Sequence, residues 1–243
     1  MTAAIPDGPA GPAGKLAVVG IGEDGWSGLG QPARDALAAA PVILGSERQL
    51  ALLPASVGGK KEAWPSPMGP RVEALAEAIR SGDDAGRWAV LGSGDPMLHG
   101  IGATLARTVG PSLLHVIPAP SAFSIACARL GWPQHATPLV SRVAQPETPV
   151  ASELRRAGRA VVYVPGASGA RELAAELRDE GLGDARFTVM ERLGGDAEQI
   201  ETATAEAWDR DADPLHLVAL ELSAPVPASA RGRLDSTVPG LPD

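Results

Sequence analysis

The apolar run Trp88-Ala89-Val90-Leu91 passes directly into Gly92-Ser93-Gly94-Asp95-Pro96-Met97-Leu98-His99-Gly100. No other stretch restricts the fold so strongly. Consecutive apolar residues bounded by glycine read as a short buried strand. Asp95 suits the N-cap of a following helix, and Pro96 its first position. Gly92 and Gly94 permit positive φ and leave backbone N–H groups accessible, so a ligand can approach the main chain. Strand, glycine turn and helix in succession form the unit of a parallel α/β sheet, whose ligands bind outside the carboxyl ends of the strands. The same residues also read, more simply, as a capped helix after a strand.

The rest of the chain repeats that alternation. Strands are expected at Lys15–Gly20, Val42–Gly45, Leu113–Ile117, Thr137–Val143, Ala160–Val164, Arg186–Met190 and Leu215–Leu222, with a possible extra one near Ile200. Helices are expected at Pro32–Ala40, Ser46–Leu53, Arg71–Ser81, from Asp95 through Val109, Ser121–Leu130, Ala151–Ala157 and Ser168–Glu180, with Gly181 closing the last. Pro54–Pro70 and Gln145–Pro149 read as irregular connections. The pattern predicts an α/β fold with largely parallel pairing in its first half. The division falls near residues 118–124, giving subdomains 15–120 and 121–222. Residues 1–14 read as a disordered tail, and 223–243 as a linker or tail rich in Pro, Gly and Ser.

Composition then excludes several functions. A net charge of −8 argues against a nucleic-acid surface and a polybasic membrane patch. No apolar run reaches the ~18 residues of a spanning helix, and the N-terminus has no signal-peptide pattern. These features lead to the expectation of a cytoplasmic protein. The single cysteine, Cys127, excludes an internal disulfide and reads as a buried thiol. His99, His115, His135 and His216 have no metal-ligand spacing, so no metal site is expected. His115 and His216 read as core or surface residues of strands. His99 stands one turn beyond the central loop, where it faces a cleft or only solvent. Ser93 and Ser168 sit among glycines without the G-x-S-x-G elbow of a hydrolase.

Gly20-Ile21-Gly22-Glu23-Asp24-Gly25 matches the spacing of a dinucleotide-binding loop, with Glu47 beyond the second strand. A nicotinamide-dependent oxidoreductase is therefore one reading. That loop normally places a helix N-terminus against the pyrophosphate. Here Trp26-Ser27-Gly28-Leu29-Gly30 delays the helix to Pro32, and Glu23 and Asp24 repel phosphate. An acidic glycine loop suits a neutral or cationic ligand, such as a sulfonium.

Five segments together resemble the tetrapyrrole methylases. They are 18–29 (VVGIGEDGWSGL), 45–54 (GSERQLALLP), 91–102 (LGSGDPMLHGIG), 116–133 (VIPAPSAFSIACARLGWP) and 161–170 (VVYVPGASGA). FTVMERLGG and PLHLVALEL continue the likeness to Leu222. GSGDPMLHG is specific to the superfamily. GSERQLALLP and SAFSIACARLGWP point to the subgroup that methylates carbon 5 of a precorrin in cobalamin synthesis. One departure is Ser141-Arg142-Val143-Ala144-Gln145, where many relatives carry S-x-H-G-R.

The resemblance implies a two-domain α/β protein with a mostly parallel N-terminal sheet, a mixed C-terminal sheet and a cleft between them. It also implies a homodimer and S-adenosylmethionine as methyl donor, with S-adenosylhomocysteine as product. Carried over, donor contacts fall on Gly20 and Gly22, on Gly94, Asp95, Pro96, Met97 and Leu98, and on Ser121 and Ala122. Weaker correspondences, by order along the chain, add Leu193, His216 and Leu217. The precorrin is a polycarboxylate and calls for arginine forks. Arg48, Arg129 and Arg142 are candidates, with His99 beside them. Methyl transfer from a sulfonium to an enamine-like carbon needs alignment and dryness more than a general base, so no catalytic residue is assigned. A non-catalytic donor-binding domain is a further reading. The closing Val238-Pro239-Gly240-Leu241-Pro242-Asp243 resembles the linker before a second methyltransferase domain, which in two-domain relatives handles carbon 15 with loss of a carboxylate. The chain is therefore expected to add only the carbon-5 methyl, a separate domain or partner protein acting at carbon 15.

Overall fold

A computed structural model describes residues 15–82, 87–143 and 148–223. The expected tails, 1–14 and all of 223–243 but Ser223, lie outside the described residues, as do residues 145–147 of the expected connection. The described residues divide into two compact units, one of 15–122 with 194–196, the other of 123–193 with 197–223.

The first unit is built on a wholly parallel sheet in the order β3-β2-β4-β1-β5. Its strands are β1 (Leu16–Ile21), β2 (Val42–Gly45), β3 (Lys60–Ala63), β4 (Ala89–Ser93) and β5 (Leu114–Ile117). Side chains alternate across it, and both faces are covered. Leu16, Val18 and Val90 meet Val72, Leu75, Ala76 and Ile79 of the helix Gly69–Arg80. Val19, Ile21 and Leu91 meet Ala33 and Leu37 of the helix Gln31–Ala39. Each fully buried Leu or Val contributes roughly 1.5–3 kcal/mol of transfer free energy.

The second unit holds a mixed sheet, order β6-β7-β10-β8-β9. Its strands are β6 (Leu139–Ser141), β7 (Arg159–Tyr163), β8 (Arg186–Glu191), β9 (Gln199–Thr204) and β10 (His216–Glu221). Only β6 and β7 pair in parallel. Val162, Val189, Val218 and Phe187 pack on Leu154 of the helix Val150–Ala157 and on Leu173 and Leu177 of the helix Gly169–Asp179. The last helix ends as expected. Gly181 takes φ +71°, and Leu182 N–H donates to the Leu177 carbonyl at 2.7 Å.

Three local expectations are corrected. β3 lies inside the stretch expected to be irregular. Its sequence, Lys-Lys-Glu-Ala, has no apolar alternation, and it is held by its parallel pairing with β2 at the sheet edge, by Arg71 on Glu62 and by Lys61 on the Leu53 and Pro54 carbonyls. A one-turn helix, Gly25–Gly28, forms where none was expected. The helix expected from Asp95 starts instead at Ile101, because His99 takes φ +54° and Gly100 is extended.

Candidate functional site

In the first unit the carboxyl ends of β1, β4 and β5 converge with almost no space between their main chains. A Cβ on Gly20 would lie 2.1 Å from the Gly94 carbonyl oxygen and 2.6 Å from the Ala119 nitrogen. The Gly94 N–H donates to the Ile21 carbonyl at 2.9 Å, and Ala119 N–H reaches the Gly94 carbonyl at 3.4 Å. Gly94 itself has φ +56°, with the Pro120 carbonyl and Ser121 Cα each 3.0 Å from where a Cβ would stand. Glycine at 94 therefore serves the protein's own packing. The expectation that its N–H is left open to a ligand is corrected, since the Ile21 carbonyl occupies it.

Beyond Gly94 the chain makes a tight turn instead of a helix. Asp95 Oδ1 accepts from Met97 N–H at 2.9 Å, and Leu98 N–H donates to the Asp95 carbonyl at 3.1 Å. Asp95 is thus the cap of a turn, and Pro96 is buried within it. Met97 and His99 stand exposed on the turn. Ser121 is buried, and Ala122 opens the helix Ala122–Leu130.

The first glycine loop is equally closed on itself. Gly25 N–H donates to the Gly22 carbonyl, and Trp26 N–H to the Leu52 carbonyl. The Asp24 carboxylate lies against Gly22 and Gly28, so a Cβ at either would collide with it. Glu23 pairs with Arg48. Arg48 also donates to Ser93 Oγ at 2.9 Å, where Gln49 Nε2 donates as well, at 3.0 Å. Gln49 is buried, and Ser46 caps its helix, Glu47–Ala51, through a reciprocal capping box. A helix beginning at Ser46 was legible in the sequence; the meeting of Arg48, Gln49 and Ser93 was not. Glu23, Asp24 and the committed N–H groups of Gly25, Trp26, Gly94, Met97 and Leu98 leave little to hold a pyrophosphate. The same surroundings fit a cationic donor, with Gly20 and Gly94 fixing the loops against each other.

In the second unit Glu191, Arg192, Asp213 and His216 form a cluster at one end of β8 and β10. Arg192 Nε donates to Asp213 Oδ2 at 2.7 Å, Leu215 N–H to Oδ1 at 2.8 Å, and Asp213 N–H to Glu191 Oε1 at 2.7 Å. Burial opposes ionisation of Asp213, but the Leu215 N–H and the Arg192 guanidinium outweigh it and hold the carboxyl below its ordinary range. Arg192 adopts φ +47°, a strained conformation for a side-chain-bearing residue. His216 Nδ1 lies 2.6 Å from the Asp213 carbonyl, which can only accept, so Nδ1 carries the proton. Burial pushes the imidazole below its usual value against the pull of that carbonyl, Glu191 and Asp213. Its Nε2 is a buried acceptor without a partner among the described residues. Leu193 and Leu217 are core side chains, so any ligand would meet their main chain.

The arginines expected to clamp carboxylates each have an internal partner. Arg129 forms a fork with Glu198, at 2.6 and 3.0 Å. Arg142 donates to the Thr148 carbonyl and to both Glu176 oxygens, the nearer contacts being 2.5 and 2.7 Å. Arg142 therefore ties its own unit together. Burial raises the Cys127 thiol, against a weaker pull from Arg159, in keeping with an inert core residue. Among the described residues no cluster of three or more His, Cys, Asp or Glu could hold a metal. None of their helices is long and apolar enough to cross a membrane.

A parallel sheet with closed glycine loops at its carboxyl ends, joined in sequence to a mixed sheet, is a two-unit α/β architecture. Residues 15–209 match the family model of Tetrapyrrole (Corrin/Porphyrin) Methylases, and the chain belongs to that family. It is 44% identical over 210 residues to a precorrin-6Y C(5,15)-methyltransferase [decarboxylating] of Mycobacterium tuberculosis, covering 84% of this chain and 51% of that protein. The chain thus spans about half the length of that relative. It is 31% identical over 207 residues to a cobalt-precorrin-7 C(5)-methyltransferase of Salmonella typhimurium, covering 85% of this chain and 98% of the relative. A uroporphyrin-III C-methyltransferase from Thermus thermophilus, crystallised with S-adenosylhomocysteine, shares the fold at a TM-score of 0.65 and 23% identity, over 85% of this chain and 97% of that one.

Proposed function

We propose that the chain is an S-adenosylmethionine-dependent C-methyltransferase that adds one methyl group to carbon 5 of a precorrin in cobalamin synthesis. One observation carries the restriction to carbon 5. The relative matched over 98% of its length is named for C(5) alone, whereas the one matched over 51% is named for C(5,15) and decarboxylation. The carbon-15 step then belongs to a separate domain or partner protein.

Gly20, Gly22 and the Gly94–Leu98 turn would border the donor in the first unit. Ser121 and Ala122 stand at the start of the following helix. In the second unit the main chain at Leu193 and Leu217 and the acceptor Nε2 of His216 are the corresponding candidates. S-adenosylmethionine bound there supplies an electrophilic methyl on a sulfonium. The chain's own part is to hold the macrocycle still, with carbon 5 in line, and to exclude water, an effect worth several kcal/mol. Of the substrate contacts, His99 stands on an exposed turn; Arg48, Arg129 and Arg142 could act as clamps only by exchanging partners. A homodimer located in the cytoplasm completes the reading. The nicotinamide alternative finds no support in the glycine loops, whose N–H groups are turned inward.

Calorimetric titration with S-adenosylhomocysteine tests the donor site, and mass spectrometry of a precorrin incubation tests the reaction. The expected product gains one methyl with every carboxylate retained. Loss of carbon dioxide with the chain alone overturns the restriction to carbon 5, and tight NADH binding without S-adenosylhomocysteine binding overturns the methyltransferase reading.

A further inference from the structure

We infer that Ser93 is a one-way hydrogen-bond donor to a ligand carboxylate, with Gln49 and Arg48 as positioning residues that fix its direction. The inference rests on the methyltransferase reading above, and its starting point is the capping box. Ser46 N–H can only donate, and its acceptor at 2.8 Å is the side-chain oxygen of Gln49. That contact settles which end of the Gln49 amide is oxygen, so the NH₂ end faces Ser93 Oγ at 3.0 Å. Arg48, which has no acceptor atoms on its guanidinium, donates to the same oxygen at 2.9 Å.

A hydroxyl oxygen has two lone pairs and one proton. Both lone pairs of Ser93 are taken by groups that cannot accept, so its proton is forced into the remaining direction. Neither neighbour can swing away freely. Gln49 is buried and held in the cap, and Arg48 is anchored by Glu23. The cation on one lone pair also polarises the O–H bond and strengthens it as a donor. Ser93 is exposed at the end of β4, immediately before the Gly94–Leu98 turn. With water alone, the proton goes to solvent. Facing a ligand, such a group donates to an anionic oxygen and has no lone pair left for an ammonium. Carboxylate is the shared chemistry of two sources, the amino-acid end of the methyl donor and the side chains of the tetrapyrrole.

The test compares Ser93→Ala, Ser93→Thr and Gln49→Glu with the unaltered chain. S-adenosylhomocysteine and 5′-methylthioadenosine, which lacks the amino-acid end, are titrated by calorimetry, and KM and kcat are measured with precorrin. If the donor's carboxylate is the acceptor, Ser93→Ala weakens S-adenosylhomocysteine about tenfold or more and leaves methylthioadenosine unchanged. If a tetrapyrrole carboxylate is the acceptor, S-adenosylhomocysteine binding is unchanged and the precorrin KM rises about tenfold or more at constant kcat. Ser93→Thr retains the wild-type values in either case. Gln49→Glu keeps an oxygen for the Ser46 N–H but sets a second acceptor against Ser93, turning the proton inward. It reproduces the Ser93→Ala loss. Unchanged affinity and KM in Ser93→Ala, or wild-type behaviour of Gln49→Glu, overturn the inference and leave the methyltransferase reading standing. An unaltered chain that binds no S-adenosylhomocysteine overturns both.

Discussion

Replacing Gly20 by alanine adds one methyl group at the tightest point of the first unit. The new Cβ would sit 2.1 Å from the Gly94 carbonyl oxygen and 2.6 Å from the Ala119 nitrogen, whereas carbon contacts relax near 3.5–4.0 Å. Both neighbours are backbone, so no side chain can rotate aside and whole strand ends must move by about an ångström. Overpacking of this kind costs typically 1–3 kcal/mol, and rigid surroundings place Gly20→Ala at about 3. At roughly 2–4 °C per kcal/mol for a chain of this length melting as a whole, the midpoint should fall by about 6–12 °C. Hydrogen exchange read by mass spectrometry separates the two units. Peptides of β1 and β4 should lose protection while those of β7 and β10 keep theirs. Gly58→Ala is the control, because nothing lies within 4 Å of its Cβ position. S-adenosylhomocysteine affinity should fall with Gly20→Ala, as the loops it separates are those proposed to hold the donor. A melting shift under about 2 °C, equal to that of the control, would show that the strand ends are looser than their geometry implies.

Three other outcomes are expected. Asp95→Ala removes the acceptor for Met97 N–H and should cost about 1 kcal/mol in denaturant unfolding, with the helix Ile101–Thr108 intact by hydrogen exchange. Arg142→Ala strands Glu176 and should destabilise the second unit by roughly 1.5–3 kcal/mol while leaving S-adenosylhomocysteine affinity unchanged, measured by exchange and calorimetry. His216 has a folded pKa below its unfolded value of about 6.5, so the unfolded chain takes up the proton first and stability falls as pH drops from there towards the folded pKa. His216→Asn should flatten that part of a pH series of unfolding midpoints, and an unaltered slope would refute the assignment.

Elements whose burial follows a simple period were legible in the sequence. β1, β2, β4 and β7 are apolar runs, and the helices Gly69–Arg80 and Gly169–Asp179 repeat at helical spacing. β3 was not, because an edge strand of lysine and glutamate buries too little to leave a pattern. The late start of the helix at Ile101 was hidden by Asp95-Pro96, whose preference for a helix entrance yields to a turn closed by Asp95 and the strained φ of His99. In the candidate site, local glycine positions were visible, but hydrogen-bond partners distant in sequence were not. Nothing in a linear reading pairs Arg142 with Glu176, or brings Gln49 and Arg48 onto Ser93.

The first glycine loop shows why spacing alone is a poor guide to chemistry. Gly20, Gly22 and Gly25 have the spacing of a dinucleotide fingerprint, and that fingerprint works by offering unpaired N–H groups at a helix N-terminus to a pyrophosphate. Here Gly25 N–H closes onto the Gly22 carbonyl, Trp26 N–H onto Leu52, and the next full helix begins only at Gln31. Across the strand ends, Gly94 N–H is held by Ile21, and Met97 and Leu98 N–H groups by Asp95. The glycines are needed because main chains meet at van der Waals limits or below them. What the loops then present outward is Asp24, Met97 and Ser93, while Glu23 is half-buried against Arg48. A dianionic pyrophosphate has no purchase on such a surface. The sulfonium donor proposed above does not depend on those N–H groups.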